Sequence, residues 1–159
     1  MPSDSPWSFL MAYGDIDNVA ALARVWTDNG QFVDDDLYGN GGTNPSKTQV
    51  EAWLAQVSGV LDLALATQGF DVPVTATLAI AAIDALVESL VVDLCHASNS
   101  TGRFAITNGV DNISPLLQIR KELDEWVMLN AVGIEGMGAS KSTTYVGRNV
   151  ASFDVFRAE

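Results

Sequence analysis

The chain has 159 residues, enough for one domain with a core of its own. Hydrophobic residues make up 48% and charged residues 18%, a balance that excludes wholesale disorder. Eight Lys and Arg stand against 20 Asp and Glu, a net charge of −12, which argues against nucleic-acid binding through phosphate neutralisation and disfavours anionic membrane surfaces.

Residues 1–13 hold Pro2, Pro6, Trp7 and Phe9 without a helix start signal, and are expected to form an extended N-terminal arm. No basic segment followed by an apolar one opens the sequence, so no signal peptide is expected. Asp15, after Gly14, is an N-cap residue for a short first helix with Ile16, Val19, Ala20, Ala23 and Trp26 on one stripe. Residues 28–44 carry Asp34-Asp35-Asp36 and Gly39-Asn40-Gly41-Gly42 with no apolar period, and read as a long loop of functional or mobile character.

Ser46-Lys47-Thr48-Gln49 fits a capping box, in which the Ser46 hydroxyl accepts the Gln49 amide proton. Val50, Leu54, Val57, Leu61, Ala64 and Leu65 then recur at helical spacing until Gly69, a left-handed stop with Phe70 folding back. Val72-Pro73-Val74 is extended, because the residue before proline avoids the helix. A third helix is expected over about 77–96, with Ile80, Ile83, Val87, Leu90, Val91 and Leu94 inward. Asp84, Glu88 and Asp93 interrupt its apolar run, which excludes it as a membrane span. After a polar stretch over 98–112, Ser114-Pro115 opens a fourth helix with Leu116, Ile119, Leu123, Trp126 and Val127 on one side. Gly133, Gly136 and Gly138 are expected to stop it. The prediction is an all-α bundle of about four helices with a long loop between the first two. It comprises an arm (1–13), a helical domain (14–133) and a C-terminal arm (134–159). The core should form from Val50, Leu54, Val57 and Leu61 against Ile80, Ile83, Val87, Leu90 and Leu94, closed by Leu123 and Val127.

Candidate chemistry is sparse. Cys95 and His96 are neighbours on a helix and point about 100° apart, so they do not form a thiol–imidazole pair. One cysteine permits no internal disulfide, and with one histidine it leaves too few ligands for zinc. The consecutive aspartates 34–36 lack the alternating ligands and the nearby distal glutamate of a calcium loop. Asp62, Asp84 and Glu88 could pair as acid and base, but Asp84 and Glu88 are expected on a solvated helix face with no cation beside them. No glycine string matches a phosphate loop. Trp26, Trp53 and Trp126 sit on or beside apolar stripes and read as packing anchors. No enzyme, cofactor or metal is expected.

The stretch Pro45-Ser46-Lys47-Thr48-Gln49-Val50-Glu51-Ala52-Trp53-Leu54 resembles the head–tail connector (adaptor) family of tailed bacteriophages. The similarity continues through Asp62, Gln68-Gly69-Phe70-Asp71-Val72-Pro73-Val74 and Arg120-Lys121-Glu122-Leu123, and spans roughly residues 13–132. The loop over 28–44 is longer and more acidic than the family pattern, and no family motif covers the residues after Gly133. The resemblance implies a non-enzymatic virion protein, made in the host cytoplasm and placed at the head–tail interface of the capsid vertex. It implies a homo-oligomeric ring, typically of twelve copies, between the portal protein and a tail-side stopper or tail-completion protein. DNA would pass through the ring without specific binding, and no membrane is involved. On that reading Asp34, Asp35 and Asp36 are candidate channel-facing residues. Tyr145, Val146, Arg148, Val150, Phe153, Val155, Phe156 and Arg157 are candidates for docking on the portal or a neighbouring subunit. The competing reading is a small acidic regulatory or DNA-mimic protein that binds a basic partner.

Overall fold

In the computed structural model of the chain, residues 13–36, 38–99 and 115–142 are described, with backbone alone at 115 and 116. They form a small all-α bundle: α1 (Ile16–Leu22), a 3-10 turn (Arg24–Trp26), α2 (Lys47–Thr67), α3 (Thr77–Asn99) and α4 (Pro115–Gly136). Helix α2 is the centre, packed on α3 and α4, while α1 lies mainly on α3. The expected core is present: Val50, Leu54, Val57, Leu61, Ile83, Val87, Leu90, Leu94, Leu123 and Val127 are buried. Ile80, expected among them, is only half-buried. By length and composition α2 is also apolar enough to cross a membrane, but its apolar face is the bundle's interior.

Local sequence sets the helix ends. Asp15 caps α1 by accepting the Asp17 N–H at 2.8 Å, and Ser46 caps α2 by accepting that of Gln49 at 3.3 Å. At the far end of α2, Gly69 takes φ +85°, which admits two closing bonds. The Phe70 N–H donates to Leu65 O at 3.1 Å and the Gly69 N–H to Ala66 O at 3.0 Å, with the Phe70 ring buried.

The segment after α4 departs from expectation. Gly133 does not stop the helix, which runs on to Gly136 and buries Ile134. A glycine inside a helix costs about 1 kcal/mol, comparable to or less than what burying one isoleucine returns. After Gly138, residues 139–142 turn back onto the end of α2. The Asp71 N–H donates to Ser140 O at 2.9 Å and the Ser142 N–H to Gly69 O at 2.8 Å. Lys141 lies 4.8 Å from the Phe70 ring centre and pairs with Glu135 at 2.8 Å. Residues 134–142, expected at the start of the C-terminal arm, are therefore packed on the bundle. Tyr145, Val146, Arg148, Val150, Phe153, Val155, Phe156 and Arg157 lie outside the described residues, as do 1–12 of the N-terminal arm.

Candidate functional site

The densest polar cluster is where the N-terminal segment enters the bundle. Tyr13 is buried, and its phenol donates to Asp62 Oδ1 at 2.8 Å while accepting the Val74 N–H at 2.8 Å. Its own N–H donates to the Ser58 hydroxyl at 2.8 Å, and that hydroxyl is 2.6 Å from Leu54 O, its helical acceptor. The next two backbone N–H groups are taken by α3: Gly14 donates to Asp84 Oδ1 at 2.8 Å and Asp15 to Glu88 Oε1 at 2.9 Å. The Asn18 amide donates to the same Glu88 oxygen at 2.9 Å. Three consecutive N–H groups, which no secondary structure satisfies, thus find partners on α2 and α3.

Burial raises Asp62 above the usual carboxylate range, against the Tyr13 hydrogen bond, which lowers it. Burial also pushes the Tyr13 phenol above its ordinary value, and the Val74 N–H works the other way. Glu88 and Asp84 are not on a solvated face, as their spacing suggested. Glu88 is buried and Asp84 half-buried, because the N-terminal segment lies across that edge of α3. Each of the three carboxylates is occupied by donors of the chain itself. The arrangement binds a strap of backbone.

Gly14 fits this strap for two reasons. Its φ is +82°, in the left-handed region, and a Cβ there would stand 3.0 Å from Glu88 Cγ and 3.2 Å from Leu54 Cδ2.

The acidic loop is folded by its own side chains. Asp34 accepts the Thr48 N–H at 2.7 Å and the Thr48 hydroxyl at 2.8 Å, adding a carboxylate to the start of α2. Those bonds hold Asp34 below the usual carboxylate range. Asp35 Oδ1 accepts the Gly42 N–H at 2.9 Å, and Asp36 Oδ1 accepts those of Tyr38 and Asn40 at 2.8 Å each. Thr43 closes the loop: its N–H donates to Val33 O and its hydroxyl accepts the Val33 N–H, both at 2.9 Å. Phe32 is buried beneath it. The three aspartates are exposed, but they point their oxygens at separate stretches of backbone. Among the described residues no three His, Cys, Asp or Glu side chains are grouped to hold a metal.

Cys95 is buried, and burial pushes its thiol up to about 11. His96, on the exposed side, accepts the Trp26 indole N–H at Nδ1, 3.1 Å away, so the two neighbours do face apart. Trp26, Trp53 and Trp126 are half-buried against the core.

Among the exposed apolar side chains of the described residues are two close-spaced pairs. One is on α1 and the 3-10 turn, with Leu22 64% and Val25 81% exposed; the other is on α4, with Leu129 72% and Val132 83% exposed. Periodicity hid these residues, since each lies off its helix's apolar stripe. No family model, curated protein or solved structure matches the chain.

Proposed function

We propose that this chain is a structural, non-catalytic assembly subunit of the head–tail connector type, which forms a ring in a virion between portal and tail. The observation that carries the reading is the pair of exposed apolar patches, Leu22 with Val25 and Leu129 with Val132, on elements that make little contact with each other. Isolated exposed side chains of this size need no explanation, but paired ones on two separate surfaces favour burial against other copies. A contact between two different patches is heterologous, and repetition closes it into a ring when the rotation allows. The sequence resemblance over about 13–132 adds the portal as partner, twelve as the number of copies and the DNA channel as setting. A net charge of −12 per chain suits a channel wall, because carboxylates repel phosphate and disfavour sticking. The loop with Asp34, Asp35 and Asp36 is the candidate wall element. The DNA-mimic reading gains less support, since Asp34, Asp35, Asp36, Asp62, Asp84 and Glu88 all accept bonds inside the chain.

Native mass spectrometry and electron microscopy, with and without purified portal protein, test this. The expected outcome is a closed ring. Val25→Asp and Val132→Asp should each give monomers, and a mixture of the two variants should stop at dimers, because only one intact interface remains. A wild-type monomer at tens of micromolar that ignores portal, or one patch variant that still closes rings, defeats the proposal.

A further inference from the structure

Between α2 and α4 runs an open groove of about 520 Å³, lined by Leu63, Ala64 and Met128 and by the charged side chains Arg120, Lys121, Asp124 and Glu125, with Gln68 also on its wall. Leu63 is 55% and Met128 61% exposed, so the floor is uncovered by any described residue. The geometry points to residues 143–159 of this chain as the occupant of that groove. The last described residue is bonded next to a lining residue: the Ser142 N–H donates to Gly69 O at 2.8 Å, and Gly69 follows Gln68 directly. From there seventeen residues remain. Extended, they reach about 55 Å, whereas α2, with its 21 residues, is about 30 Å long. Reach is therefore no constraint.

Chemistry matches as well. The segment carries Tyr145, Val146, Val150, Phe153, Val155 and Phe156 for the apolar floor, and both signs of charge for a wall that carries both: Asp154 and Glu159 for Arg120 and Lys121, Arg148 and Arg157 for Asp124 and Glu125. Tethering selects the chain's own groove over a neighbour's, since a short linker gives an effective concentration on the order of millimolar. This inference stands apart from the assembly reading, which uses Leu129 and Val132 instead.

Limited trypsin digestion of the full chain under native conditions tests it, because Arg148 lies within the segment and Arg103 provides an internal reference outside it. Cleavage after Arg148 should be slow in the wild type. It should accelerate about tenfold or more in Leu63→Asp and in Met128→Asp, both at exposed positions, while cleavage after Arg103 stays within about twofold. The wild-type rate should not change on dilution. Acceleration at both sites alike would mean that the substitution loosened the bundle. Phe153→Asp with Phe156→Asp, which leaves the groove intact, should then still accelerate Arg148 alone. Equal Arg148 rates in wild type and both kinds of variant would overturn the inference. Protection that fades on dilution would overturn it too, in favour of a neighbouring copy.

Discussion

Asp62, Asp84 and Glu88 lie under the N-terminal segment, whereas Asp34, Asp35 and Asp36 lie in open solvent, yet both sets spend their oxygens on N–H or O–H donors of the chain itself. The difference is what surrounds the bond. In the covered set, where Glu88 is buried and Asp62 and Asp84 are half-buried, water replaces a lost acceptor poorly, so removing one leaves its donor short of a partner. In the exposed set water substitutes at once, and the carboxylate mainly selects one loop conformation among many. An acidic composition in this protein is thus partly a construction material for irregular backbone.

The comparison breaks most visibly at Glu88, which accepts from both the Asp15 N–H and the Asn18 amide. Glu88→Ala should cost about 3 kcal/mol in chemical denaturation, from two hydrogen bonds to a charged acceptor lost in a buried setting. Glu88→Gln keeps one acceptor oxygen in place and should cost about 1 kcal/mol. A cost under about 0.5 kcal/mol for Glu88→Ala would mean that the strap is not held by α3.

Gly14→Ala sharpens the same point through backbone rather than charge. The added Cβ meets Glu88 Cγ at 3.0 Å and Leu54 Cδ2 at 3.2 Å, at a φ of +82°. The expected cost is about 1–3 kcal/mol, the usual range for a side chain forced into left-handed backbone with close neighbours. Hydrogen exchange should localise it: the amides of Tyr13, Gly14 and Asp15 lose protection first, while those in the middle of α2 keep theirs.

Much of the bundle was legible because it is local. Asp15, Ser46 and Gly69 mark helix ends by chemistry that acts within a few residues, and the stripes of α2 and α3 report their buried faces directly. The strap was not legible. Asp84 and Glu88 lie one position beyond Ile83 and Val87, at the edge of the α3 stripe, and what covers that edge is 70 and 73 residues away in sequence. Asp34 capping α2 across 14 residues escaped for the same reason. The glycines after α4 misled in the other direction: a single Gly is a weak stop when the next residue, here Ile134, has a buried place waiting.

The smallest expected effect is the most diagnostic, because one carboxylate from each set, Asp62 and Asp34, should respond to acid with opposite signs. Asp62 is held above its ordinary value of 3.8, chiefly by burial, so it binds its proton more tightly folded than unfolded. Its contribution to stability is full below 3.8 and is lost as pH rises through the raised folded value. Asp34 is held below 3.8 by the Thr48 N–H and hydroxyl, so its contribution is present above 3.8 and is lost as pH falls through the lowered folded value. Asp62→Asn and Asp34→Asn remove these titrations one at a time. The stability of wild type minus Asp62→Asn, measured by urea denaturation, should fall as pH rises from about 3 to about 7. Wild type minus Asp34→Asn should rise over the lower part of that range and then level off. Slopes of the same sign would show that burial at Asp62 does not outweigh its Tyr13 hydrogen bond, and that both carboxylates act simply as acceptors. Opposite slopes would establish that one kind of side chain, used for one kind of bond, stabilises this fold in its acid form beneath the strap and in its ionised form in the loop.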